Sequence, residues 1–315
     1  RPATSTSSSI ESMTESNAAE IGQDAPTASP LQASGSRPDL VAAGQKRLSW
    51  LERTLIGIVR QTFEPGVFSR LVHFCQRTVG CGWIHHATKN LRHVHGLSRL
   101  PSFEPGQSYI LIANHRSFFD LYVVFGDLVH RGLSHRIVFP VRSNFFYDNP
   151  LGLLVNGLMS FFAMYPPLFR DRKKALMNPL ALEELAYLLR RGGMFAGIHP
   201  EGTRKRDDDP YTFLPAQRGV GKVIQDARVP VIPVFINGLV NDLKRQVMGN
   251  FDRTGQDIFV VFGAPVEFGD LLDQGRSPKV HQAISDRVMQ AVSELGQEER
   301  ALRAARNGGS FVVEK

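Results

Sequence analysis

"YILIANHRSFFD" occupies residues 109–120, and the way it is read decides the fold. Tyr109 to Ala113 are apolar without a break, the pattern of a strand buried on both faces. Polar residues follow at once, and Asp120 stands five places after His115. In open α/β sheets ligands gather at the carboxyl ends of strands, so residues placed there are positioned to meet a substrate. The spacing alone carries little weight. With ten His and 30 acidic residues in 315, on the order of one such pair arises by chance.

Outward from this stretch the same kind of run recurs as "RIVFPV", "FAMYPPLF", "GMFAGI", "VPVIPVFI" and "IFVVFG". Amphipathic stretches at 117–131, 151–161, 174–191, 215–227 and 239–248 separate them, and a closing helix runs from about Pro278 to Arg306. Near-continuously apolar strands alternating with helices predict an α/β fold with a mostly parallel central sheet flanked by helices. A hydrophobic content of 42% suffices for a substantial core.

Residues 1–44 are rich in Ser, Thr, Ala, Pro and Gly and predict a disordered tail. They lack the basic segment and apolar block of a secretory signal. Cys75 and Cys81 match neither a CxxC pair nor a zinc framework, so a reducing cytoplasm fits. The formal charge of +7 favours an anionic partner, whether nucleic acid, a phosphorylated small molecule or an acidic membrane surface.

Residues 45–100 read as a basic amphipathic helical region ahead of a domain at 101–315. In "KRLSWLERTLIGIVR", Leu48, Leu51, Leu55, Ile58 and Val59 share one helical face. Two readings stand: a helix lying in a membrane interface, or one packed on the domain behind it. The uncharged "NPLGLLVNGLMSFFAMYPPLF" at 149–169 is about as long as a membrane span. Its prolines, glycines and asparagines favour a helix followed by a strand, with an apolar face toward lipid.

A second strand-end cluster is "HPEGTRKR" at 199–206. Glu201, Gly202, Thr203 and Arg204 set a carboxylate, a flexible turn and a guanidinium fork where "GMFAGI" ends, a set that suits a phosphate. A solvated turn with a surface arginine is the plainer alternative. If Asp120 aims the imidazole, His115 can deprotonate a substrate alcohol with no nucleophile from the protein.

These residues resemble a known family. "NHRSFFD" is similar to the first block, NHx4D, of the glycerolipid acyltransferases of the lysophosphatidic acid acyltransferase type, and "PEGTR" to their third. "PLFRDR" resembles the second block and "VPVIPV" the fourth, so the likeness spans roughly 100 to 265. It implies that His115 is the base and Asp120 its support while a lysolipid hydroxyl attacks the thioester of acyl-CoA or acyl-carrier protein. Arg172 and Arg204 would hold the acceptor's phosphate, with Asn114, Glu201, Gly202 and Thr203 in the substrate-binding set and a turn at Pro233 helping to form an acyl channel. No metal or cofactor is required. Three departures touch the acceptor side. "FRDR" offers both Arg170 and Arg172, His199 stands where Phe is common, and "LPAQRGVG" leaves Arg218 as the cation before its glycine.

Other groupings carry less. His85, His86, His93 and His95 invite a metal, but no nearby Cys or carboxylate completes a set. "RDDDP" at 206–210 reads as a polar loop, and "RDRKK" at 170–174 lacks the aromatic platform of a nucleic-acid site. The expectation is an O-acyltransferase making phosphatidic acid from 1-acylglycerol 3-phosphate, peripheral on the cytoplasmic face of an anionic membrane, with no nucleic acid partner. Alternatives are a different acceptor (glycerol 3-phosphate, a lyso-aminolipid or another alcohol), or a non-catalytic membrane-binding protein.

Overall fold

The computed structural model describes residues 36–306. In chain order the elements are α1 (Leu40–Ala43), α2 (Trp50–Gln61), α3 (Val67–Cys75), α4 (Cys81–His86), β1 (Arg92–His95), β2 (Tyr109–Ala113), α5 (Asp120–His130), β3 (Arg136–Arg142), α6 (Ser143–Phe146) and α7 (Pro150–Ser160). There follow β4 (Met164–Leu168), α8 (Asn178–Arg190), β5 (Met194–Ile198), α9 (Arg218–Ala227), β6 (Val231–Asn237), α10 (Leu243–Asp252), β7 (Ile258–Phe262) and α11 (Pro278–Arg306). A wide turn at Gln76–Gly80 joins α3 to α4.

The strands form one sheet in the order β1-β7-β6-β2-β5-β3-β4. From β6 to β4 every pairing is parallel, while β7 runs antiparallel to β6 and carries β1 with it. The fold is the mostly parallel α/β arrangement that the apolar runs imply. Each residue of β2, β5 and β7 is buried, because helices cover both faces. On one of them α9 presses against α11 so closely that a Cβ on Gly221 would lie 1.9 Å from the His281 carbonyl oxygen. Parallel pairing has a direct consequence for function. The carboxyl ends of β6, β2, β5, β3 and β4 all open on one rim, where the loops carrying both motifs meet.

Three expectations meet the structure here. Of the two readings of the 48–59 stripe, packing on the domain is the one observed for most of it: Leu48, Leu55 and Val59 are buried in the core and Leu51 packs against it, while Ile58 stays exposed. Ser49 and Glu52 close a capping box at the start of α2, and Glu52 also accepts from Lys174, 2.7 Å away beyond β4. Exposed apolar residues gather mainly on α3 (Val67, Phe68, Leu71, Phe74) and α7 (Leu151, Leu154, Leu158), with Trp50 and Ile58 on α2. Second, the region 45–100 is not wholly helical. "RHVH" forms β1, half-buried along its length beside β7, with a single aliphatic residue that gave no strand signal. Third, disorder over 1–44 does not hold for 36–44. Leu40 is fully buried, Asp39 caps α1, and Arg37 pairs with Glu64 and Glu184. Residues 1–35 lie outside the described residues. The uncharged stretch 149–169 divides into α7 and β4, and no helix among the described residues is long and apolar enough to cross a membrane.

Candidate active site

At the end of β2 the chain stops pairing as a strand and its side chains take over. Asn114 is fully buried: its Nδ2 donates to the Ile236 carbonyl at 2.8 Å and its Oδ1 accepts the Ile236 N–H at 2.9 Å. Its amide therefore prolongs the β2–β6 ladder by one rung within the core. Six residues later the chain enters α5. Asp120, buried at the head of this helix, accepts the N–H groups of Arg116 and Ser117, both at 2.8 Å, through Oδ2. The same oxygen lies 3.3 Å from Nδ1 of His115. A carboxylate so placed orients the ring and leaves Nε2 as the nitrogen available to a substrate.

The second motif is sewn to the first. Glu201 is buried, with Oε1 accepting the His115 N–H at 2.9 Å and Oε2 the Leu214 N–H at 2.8 Å. Lys205 N–H donates to the His115 carbonyl at 3.2 Å. Between them Gly202, at φ +63°, takes the left-handed conformation that other residues adopt at a cost, and its carbonyl accepts from Arg142 Nη2 at 2.8 Å. Arg204 Nη1 donates to Asn241 at 2.7 Å.

Burial, then the cations Arg204 and Arg142, hold the His115 imidazolium down, to about 3. The ring is neutral at pH 7, the form a general base requires. Burial pushes Asp120 up to about 6, opposed by His199, the two turn N–H groups and Arg204. Arg142 is itself lowered by burial and then by Arg170, Arg204 and Arg206. Three guanidinium groups thus press on Arg142 at the rim, an arrangement that an anion would relieve.

His199 stacks on His115, ring centroids 3.8 Å apart and planes 9° from parallel, and its Nδ1 lies 3.1 Å from the Ala113 carbonyl. Burial and His115 lower it to about 3. Among the described residues His115, Asp120 and His199 form the one cluster whose ligand atoms all lie within 4.8 Å of each other. A metal must lie in the plane of each imidazole that binds it, and two stacked rings share no such point. As arranged, the trio does not fit one ion.

A cleft of about 500 Å³ opens beside Asp120, between the 204–210 segment, the end of β6 through Asn241, and Gln256. Residues 91–237 match the family model described as Acyltransferase. That segment, which holds both strand-end motifs, is similar to an acyltransferase domain. The match begins at Leu91, ahead of residue 101, and takes in β1. Among solved structures, the 1-acyl-sn-glycerophosphate (LPA) acyltransferase PlsC from Thermotoga maritima is 18% identical, with 81% of this chain and 87% of that chain covered and a TM-score of 0.44. No curated protein matches the chain significantly.

Within the matched segment the remaining expected residues divide. Arg170, exposed just beyond β4, acts on Arg142, whereas Arg172 is exposed with no tie to the rim. Thr203 is half-buried within the Gly202–Arg204 turn. Arg218 is exposed at the start of α9, where its charge is felt by His281 of α11. Pro233 sits in no turn: it is buried within β6 opposite Ile112, and its carbonyl accepts the Gly263 N–H. The four histidines of 85–95 separate, with His85 stacked on His130, His93 bonded to Asp257, and His95 stacked on Phe259. Arg142 escaped the sequence reading although it ends "RIVFPVR"; the strand-end rule applied to His115 would have found it.

Proposed function

We propose that this protein transfers an acyl chain from acyl-CoA or acyl-carrier protein to 1-acylglycerol 3-phosphate, giving phosphatidic acid. The observation that supports it best is the Glu201 clamp, which joins a buried His–Asp pair to a rim of guanidinium groups. In this reading His115 Nε2 takes the proton of the acceptor hydroxyl as its oxygen attacks the thioester carbonyl. Asp120 stabilises the imidazolium through Nδ1–H. The tetrahedral intermediate collapses, the C–S bond breaks, and the proton on His115 passes to the departing thiolate. The acyl group moves directly between bound substrates, and no acyl-enzyme forms. No metal or cofactor enters this sequence.

Arg142, Arg204 and Arg170 hold the acceptor's phosphate, Arg142 being added and Arg170 preferred to Arg172. The exposed apolar residues of α3 and α7, with Arg70 beside them, rest on the cytoplasmic face of an anionic bilayer, from which the acceptor enters. An acceptor panel in vesicles with labelled acyl-CoA tests the reading. Phosphatidic acid from lysophosphatidic acid is expected, with slower turnover of uncharged alcohols. Equal rates for phosphorylated and unphosphorylated acceptors, or no transfer to any, would refute it.

A further inference from the structure

Two polar territories flank His115, and the sheet order keeps them apart. Arg142 ends β3 and Arg170 follows β4, on one side of β2. The 500 Å³ cleft lies on the other side, bounded by the segment after β6 and by Gln256 ahead of β7. Strands are about 4.8 Å apart, so β6 and β4, four spacings from one another, are separated by roughly 19 Å. Arg204 and Arg206 stand between the two territories, because they line the cleft and also act on Arg142.

The two sides differ in chemistry. On the β3–β4 side α7 leads straight into β4 and packs on the Gln76–Gly80 turn after α3, so the exposed apolar residues of α3 and α7 belong to this half. A small cavity lined by Tyr122, Phe139 and Ala163 lies there too. On the cleft side the walls are mostly polar: amides (Asn237, Asn241, Gln256) and cations (Arg116, Lys205) stand beside the carboxylates of Asp120, Asp207 and Asp208, with Ile236, Leu239 and Pro210 as the apolar members. A lipid tail has little to bury against in such a place, whereas a water-soluble chain with amide and phosphate groups finds polar partners.

The cations of the cleft are already engaged by a carboxylate. Asp207 accepts from Arg116 Nη1 at 2.7 Å and lies 2.6 Å from Lys205 Nζ, and its own carbonyl takes a second bond from Arg116. These two bonds hold its carboxyl low, at about 2. The Asp207 side chain is exposed. A phosphate presents the same acceptor geometry to a guanidinium as a carboxylate does.

We propose that this cleft binds the phosphorylated pantetheine arm of the acyl donor, its phosphate displacing Asp207 from Arg116 and Lys205. The assignment rests on the acyl-transfer function proposed above and divides the labour: acceptor phosphate toward β3 and β4, donor phosphate toward β6 and β7. Acyl-CoA and acyl-carrier protein share this arm, and CoA adds further phosphates on its nucleotide.

The test combines CoA binding by calorimetry with steady-state kinetics on three donors: acyl-CoA, acyl-carrier protein and acyl-pantetheine, which has no phosphate. Arg116→Gln and Lys205→Gln should each weaken CoA binding and raise the KM for acyl-CoA on the order of tenfold, the loss of one charge-assisted hydrogen bond. Asp207→Asn should move both in the opposite direction. Acyl-pantetheine should respond to none of the three, and the KM for the acceptor should stay constant. Equal losses with acyl-CoA and acyl-carrier protein are expected, since they share this phosphate; a loss with acyl-CoA alone would overturn the assignment in favour of the nucleotide phosphates. CoA binding unchanged in all three variants, or effects confined to the acceptor KM, would overturn the assignment while leaving acyl transfer intact. Absence of transfer with every donor would instead remove the function on which it rests.

Discussion

Glu201→Gln separates two roles that this carboxylate could have. If it touches the acceptor, its loss should raise the acceptor KM and leave stability alone. The structure gives it other work, since both oxygens are spent on the N–H groups of His115 and Leu214 in a buried position. Each is a hydrogen bond to a charged acceptor, worth about 1.5–3 kcal/mol. Glutamine keeps one acceptor oxygen but turns an NH2 toward the other backbone N–H, so one bond is lost and one buried donor is left facing a donor. The cost should be about 2–4 kcal/mol, read as a lower urea midpoint at unchanged slope. Because one of the two bonds fixes the backbone of His115, a displacement of the imidazole by about 1 Å should lower kcat on the order of a hundredfold. Acceptor KM should change little. A variant with wild-type stability and kcat but a tenfold higher acceptor KM would refute the reasoning.

Three further outcomes follow from the same geometry. Asn114→Ala removes both partners of the Ile236 backbone and should destabilise the protein by about 2–4 kcal/mol in urea unfolding, with both substrate KM values retained in the folded fraction. The acid limb of kcat/KM, a property of the coupled His115–Asp120 pair, should fall at about pH 6 or below. Arg142 disfavours the imidazolium, so Arg142→Gln should move that limb upward; a downward shift would contradict the electrostatic account. Replacing Phe68 and Leu71 of α3 together by Asp should lower partition onto anionic vesicles at least tenfold without moving the unfolding midpoint, since both side chains are exposed. Unchanged binding in sedimentation with vesicles would exclude this face.

Much of this was legible in the sequence because the physics is local. "YILIA" and "IFVVFG" can only be buried strands, and a histidine directly after one is at the rim whatever the rest of the chain does. The closing helix from Pro278 to Arg306 was readable for the same reason. What escaped depends on partners far along the chain. "RHVH" is a strand because β7 supplies its hydrogen bonds. The stripe of α2 reads identically whether lipid or protein covers it, and only the fold shows that the core does. Asn114 and Glu201 belong to the motifs, yet the backbone groups they bond at Ile236 and Leu214 stand outside them. Arg37 lay within a stretch of tail-like composition although it closes an ion pair with Glu184, 147 residues away.

The claim at the centre is that His115, aimed by Asp120, deprotonates the acceptor hydroxyl. Its most direct measurement is the kcat of His115→Ala with labelled acyl-CoA and lysophosphatidic acid in vesicles, on protein whose unfolding midpoint matches the parent. The account predicts a fall of about 10²- to 10⁴-fold with acceptor KM retained. Transfer at the parent's rate would contradict it.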